Sequence, residues 1–198
     1  MWLTALSLSA FAIEPAIPES ADTVGTSNLI GGPSVFGWCA PVDARAYCGG
    51  QVGGWVRYGV SEAVDLGAKV DLIVDPDRVA VGLFTGAKAQ LIGGRHQVGP
   101  QLAVGGYLGG PLFGFNPLLV RLPVTAGYRV SPDVAVYGRA FGSLGLYRGT
   151  GFTGVNFQAG GVAGTELSGV LPLTVELQVI PTKVTTQFGL AAGLRFYL

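Results

Sequence analysis

The sequence predicts an all-β chain, an antiparallel up-and-down transmembrane β-barrel of about ten strands, with eight as the alternative count. Three observations carry that expectation. Long stretches alternate between apolar residues and polar residues or glycine, the period of two that belongs to strands with one greasy face. Glycine supplies 33 of the 198 residues and is spread through the whole chain, which suits one domain. Hydrophobic residues make up 49% and charged ones only 12%, yet Gly, Thr or a charge interrupts every apolar run before it reaches the ~18 to 20 residues of a spanning helix. Lipid offers the backbone no hydrogen-bond partners, so such a chain crosses a membrane only as a closed barrel. Period alone does not say which face is the core, and a soluble ligand-binding β-barrel with its apolar face inward is the alternative.

Residues 1–12, MWLTALSLSAFA, are apolar and end in Ala10-Phe11-Ala12, the small-x-small form of a signal-peptidase site. Cleavage after Ala12 is expected, although the basic n-region is missing and the signal is incomplete as written; a short amphipathic anchor is the alternative. Residues 13–27 hold Glu14, Pro15, Pro18, Glu19 and Asp22 with no period and read as a periplasmic lead-in. The barrel is expected over 28–198, with strands near 28–38, 49–60, 63–74, 79–93, 99–109, 117–130, 133–147, 152–164, 171–180 and 183–198. Val64, Leu66, Ala68, Val70, Leu72 and Val74 alternate cleanly with Asp65, Gly67, Lys69 and Asp71, and Leu173, Val175, Leu177 and Val179 with Thr174, Glu176 and Gln178.

Two hairpins share the pattern Tyr-x-Val-Ser-x-x-Val-x-aliphatic, one starting at Tyr58 and one at Tyr128. Ser61, Ser131, Pro132 and Asp133 supply tight-turn chemistry, and the two tyrosines are expected at one depth, as an interfacial girdle requires. Two strands precede the first turn, four separate the turns and four follow. Both turns and both termini therefore fall on one side, expected to be periplasmic, with the segment between Cys39 and Cys48 and the Gly109 to Asn116 stretch outside. Pro123 falls inside the sixth strand, where a barrel has no free edge, so a bulge or local break is required there. Gly160 and Gly161 make the eighth strand the weakest.

The last strand alternates to its end. Phe188, Leu190, Ala192, Leu194, Phe196 and Leu198 point one way, and Gln187, Gly189, Ala191, Gly193, Arg195 and Tyr197 the other. With Gly193 followed by Phe196 and Leu198, it resembles the terminal assembly signal of small bacterial outer-membrane β-barrel proteins, and residues 28–198 resemble their general architecture. Ala191 stands where that signal has a polar residue, and Leu198 where Phe is usual. The resemblance implies a bacterial outer-membrane location, contact with outer-membrane lipid, and handling by the barrel assembly machinery through Gly193, Phe196 and Leu198.

Cys39 and Cys48 suit a disulfide in an oxidising compartment, with two free thiols as the alternative. Two Cys and His96 cannot furnish four Cys/His ligands, and neither a metal nor a cofactor is expected. The formal net charge of zero gives no basic face for nucleic acid. Alternation assigns Arg57, Lys69, Lys88, Arg121, Arg129, Arg139, Lys183 and Arg195 to the lumen with Asp65, Asp71 and Glu176, an excess of about five positive charges if each ionises as usual. That set reads either as a plug of ion pairs filling a small barrel or as the lining of a narrow, weakly anion-preferring pore. Arg57 and Asp65 are expected to face each other across the first tight hairpin. No enzyme activity is expected: His96 is the only histidine available as a general base, and it falls at a periplasmic turn. Glu166 and Asp133 read as turn residues. Leu112, Phe113 and Phe115 form an apolar cluster that suits a contact patch for a protein partner, a constriction of the mouth, or membrane-facing strand ends. A barrel anchoring a periplasmic or surface complex is thus a further functional reading.

Overall fold

The computed structural model describes residues 20–198 except 43–44, 76–77, 95–96, 113–117, 150–151, 170–171 and 183–184. The expectations for Ala12, His96, Phe113, Phe115 and Lys183 lie outside the described residues. Ten antiparallel strands follow one another in order: β1 (Leu29–Val42), β2 (Arg45–Gly59), β3 (Val64–Asp75), β4 (Arg78–Ile92), β5 (Gly99–Pro111), β6 (Leu118–Ser131), β7 (Val134–Gly149), β8 (Phe152–Leu167), β9 (Leu173–Pro181) and β10 (Thr186–Leu194). Each pairs with its neighbour, and β10 returns to β1 with Ser34 opposite Gly193 and Cys39 opposite Phe188, which closes the barrel.

A short β11 (Phe196–Tyr197) continues β10 along β1 in the same register, placing Phe196 opposite Gly31. The interruption at Arg195 lies across from Gly32 and Pro33. Proline gives the ladder no N–H, and the Leu194 carbonyl presses so near Gly32 that a Cβ there would lie 2.0 Å from it. The register is unchanged across it, so the alternation expected to run to the end is kept: Phe196, opposite Gly31, and Leu198 are exposed on the outside, while Tyr197, opposite the buried Ile30, takes the inner parity at the mouth.

The registers fix the shape of the wall. A paired row starting at Leu29 passes through Tyr58, Leu66, Ala87 and Gly106. With the neighbouring registers carried on, it continues through Leu122, Gly142, Ala159, Pro181 and Thr186 to Pro41. The return point is about 12 residues further along β1, a shear that tilts the strands by roughly 40°.

The wall is polar inside and apolar outside. Val35, Val52, Val70, Leu83, Leu122, Val136, Leu177 and Leu190 are exposed, while Arg57, Asp65, Lys69, Asp71, Lys88, Arg121, Arg129, Arg139 and Glu176 are all at most 5% exposed. The faces are thus the reverse of what a soluble ligand-binding barrel requires. Tyr58, Tyr128 and Phe196 are exposed on the outer face near one end of the wall, and Phe157 and Phe188 toward the other. Along β10 and β11 the interval from Phe188 to Phe196 is eight residues, about 26 Å of strand or roughly 20 Å along the barrel axis at the tilt above. That is close to the ~25 Å height of an apolar band between two aromatic girdles.

Several local features follow from composition. Pro123 breaks the β5–β6 ladder without shifting it: the pairs Val104–Val124 and Tyr107–Arg121 stand on either side of an unpaired stretch opposite Gly105 and Gly106. Bulges occur between Gln90 and Ile92 and between Arg129 and Ser131. The second Tyr-x-Val-Ser turn therefore closes on Ser131 and Val134, whereas in the first both Val60 and Ser61 donate to the Val64 carbonyl. The strands also overrun their expected ends. Cys39 and Cys48 lie within paired strand as direct cross-strand partners rather than bounding a loop, and they form a disulfide with Cα atoms 4.1 Å apart. β8 reaches Leu167, which makes Glu166 a buried inward residue and corrects its reading as turn chemistry.

Candidate functional site in the barrel interior

The interior is built on rows that set large side chains against small ones. Arg57, Gly67, Gly86 and Tyr107 are successive partners across β2, β3, β4 and β5. From the two ends of that row Arg57 Nη2 donates to the Tyr107 hydroxyl at 2.6 Å, over the two glycines. Tyr137, Gly164 and Glu176 form a second row: the Tyr137 hydroxyl crosses Gly164 to donate to Glu176 Oε1 at 2.6 Å. A Cβ on Gly164 would stand 2.5 Å from the tyrosine ring. Phe141 covers Gly160, Trp38 covers Gly49 and Phe36 covers Gly189 in the same manner. Large and small residues in facing positions are how a narrow barrel fills its interior without voids.

Ion pairs lie among these rows. Arg129 reaches Glu166 at 3.0 Å across Ala135. Arg139 meets Glu176 at 2.6 Å and Lys69 meets Asp71 at 3.1 Å. Asp65 lies 3.7 Å from Arg57, across the first hairpin, and 3.8 Å from Lys88. Arg195, partly buried at the foot of the wall, pairs with Glu166. Arg121 stacks 4.0 Å over the Phe141 ring and donates from Nε to Ser143 Oγ at 2.8 Å. Charges taken from water are tolerated only when paired and hydrogen-bonded in this way.

Two acids missing from the sequence-based lumen set join it, Glu166 and Asp22. Among the described residues this leaves seven cationic side chains against five anionic ones, so the two acids answer part of the expected basic excess. Asp22 belongs to residues 20–25, which turn back into the barrel and are buried there instead of leading away from it. The inward aromatics Phe36, Trp38, Trp55, Phe84, Tyr107, Tyr137 and Phe141 were also not picked out from the sequence. Their signal was parity, since Tyr137 and Phe141 flank Arg139 at intervals of two and Trp55 stands two before Arg57.

The disulfide faces outward near the end of the barrel opposite those turns. Leu112, the described member of its apolar cluster, is exposed. Gly193 is buried on the inner face, whereas Phe196 and Leu198 are exposed on the outer one.

A closed antiparallel wall with a charged, packed interior and an apolar exterior between aromatic levels defines a transmembrane β-barrel of the bacterial outer-membrane type. The sequence matches no protein-family model and no curated protein sequence. Three solved structures illustrate what the chain is similar to. The translocator domain of autotransporter NalP from Neisseria meningitidis is 12% identical with a TM-score of 0.46, covering 100% of this chain and 94% of its own. The N-terminal β-barrel domain of Pseudomonas aeruginosa OprF is 14% identical with a TM-score of 0.36, covering 86% and 98%. Ail, the attachment invasion locus protein of Yersinia pestis, crystallised with the heparin analogue sucrose octasulfate, is 11% identical with a TM-score of 0.33, covering 86% and 100%.

Proposed function

We propose that this chain is a structural barrel of the outer membrane whose lumen is shut at rest, with its tight turns and residues 20–25 at the periplasmic end. The observation that supports it is the burial of the inward side chains: Arg57, Tyr107, Tyr137 and Glu176, which bridge nearby strands, are shut off from solvent, and residues 20–24 are buried at one mouth. The Arg and Lys side chains that would line an anion path are engaged with carboxylates, hydroxyls and rings, so they hold the wall rather than a stream of ions. Purified protein in a planar bilayer is expected to give no steady current. A reproducible anion-preferring current, reduced by Arg121→Glu and Arg139→Glu, would overturn this reading in favour of a narrow pore.

A further inference from the structure

The closed mouth is made by a segment bound as a ligand is bound. Its main chain is recognised at several points. Ser20 N–H donates to Glu166 Oε2 at 3.2 Å, Lys88 Nζ donates to the Ser20 and Asp22 carbonyls, and Val24 N–H donates to the Asp65 carboxylate at 3.0 Å. Its side chains are read as well. The Asp22 carboxylate accepts from Arg129 and from Gln101 Nε2; the Thr23 hydroxyl donates to the Glu62 carbonyl at 2.5 Å and lies 3.1 Å from the Gln90 amide. Val24 packs on Ile30 and Trp55. The contacting residues come from β1 to β6 and β8, so the receptor is the assembled barrel and not a local turn.

The entrance is shaped for this fold-back. Gly25 has φ 82° and Ser27 φ 60°, both in the left-handed region. Ser27 N–H donates to the Gly59 carbonyl at 2.8 Å, and a Cβ on Gly59 would lie 1.8 Å from the Gly25 carbonyl oxygen. A segment that only led into the first strand would need neither the reversal nor a carboxylate aimed at Arg129.

We infer that the mouth lined by Asp65, Lys88, Gln101, Arg129 and Glu166 is a binding site for an extended acidic peptide, with residues 20–25 as its tethered and exchangeable occupant. This rests on the closed-lumen reading and names what occupies the mouth. Arg129 selects the carboxylate, while Lys88 and the two acids read peptide backbone, which any extended chain of that charge provides.

The test uses the full chain with residues 20–25 deleted, its folding checked by heat-modifiable gel mobility, and a fluorescent synthetic peptide of residues 19–26, ESADTVGT. The deleted protein is expected to bind the peptide saturably. A peptide carrying Asp22→Ala is expected to bind at least tenfold more weakly, as is the undeleted protein, whose site is filled. Absence of binding to the folded deletion variant, or equal binding by the undeleted protein, would overturn the proposal. If the deletion variant does not fold, full-length protein carrying Asp22→Arg, which sets like charge against Arg129, is expected to take up the peptide, and failure to do so overturns it equally. The two readings fail separately: an undeleted barrel that conducts removes the closed-lumen reading, whereas a silent barrel that binds no peptide removes only the inference.

Discussion

Gly164 carries no side chain because the Tyr137 ring lies where its Cβ would be, and the consequence reaches two strands away, to the carboxylate of Glu176. A valine there would push the tyrosine off Glu176 and disturb the Arg139 pair that shares that acid. Overpacking of this kind costs about 1 to 3 kcal/mol. Gly164→Val is therefore expected to lower the urea midpoint for loss of the compact gel form in detergent. Gly138→Val, on the exposed outer face with no close neighbour, should leave the midpoint unchanged; equal effects of the two would refute the row-packing account. The charged members of these rows were legible in the sequence, because an Arg on an alternating strand has one polar side to face. The aromatic members were not, since a ring suits either face by polarity, and only the register shows that its neighbour is a glycine.

At the scale of the element, the hairpins were legible where their turns carry chemistry. The Tyr58 and Tyr128 repeats sit at tight turns, and Pro123 sits at the local break its missing N–H demands. The opposite ends were less legible, because Gly, Pro and Cys near Cys39–Cys48 read as loop while the cross-strand register carries the pairing on to Val42 and Arg45. The disulfide joins two residues already opposed in that ladder. On the loop-entropy argument it adds roughly 2 to 3 kcal/mol, and it does so near the end of the wall, away from the paired core of β1 and β2. The double variant Cys39→Ser, Cys48→Ser is thus expected to insert at normal levels and to unfold at lower urea concentration. Failure of the variant to reach the membrane would show that the covalent link is needed for folding itself.

For the whole molecule, strand number followed from counting turns, but the fate of residues 20–25 did not, because an aperiodic polar segment carries no signal of where it goes. The clue was the excess of lumen cations left by the count, which Asp22 and Glu166 partly answer. Closure has the same dependence on distant parts. At the foot of the seam, Phe196 and Tyr197 pair with Gly31 and Ile30, Leu198 N–H donates to the Leu29 carbonyl at 3.0 Å, and Arg195 holds Glu166 inside. Removing residues 196–198 would leave the β1 backbone from Leu29 to Gly31 without partners along the seam, and unsatisfied groups facing lipid each cost several kcal/mol. The truncated chain is expected to be made normally but to reach the outer membrane at a small fraction of the usual level, measured by fractionation and heat-modifiable mobility. The paired substitution Phe196→Ala, Leu198→Ala keeps the backbone ladder and removes the side chains. Its failure to insert alongside the truncation would support a side-chain assembly signal, and its normal insertion would place the requirement in the ladder. Normal outer-membrane levels of the truncated chain would refute both roles for this end of the seam.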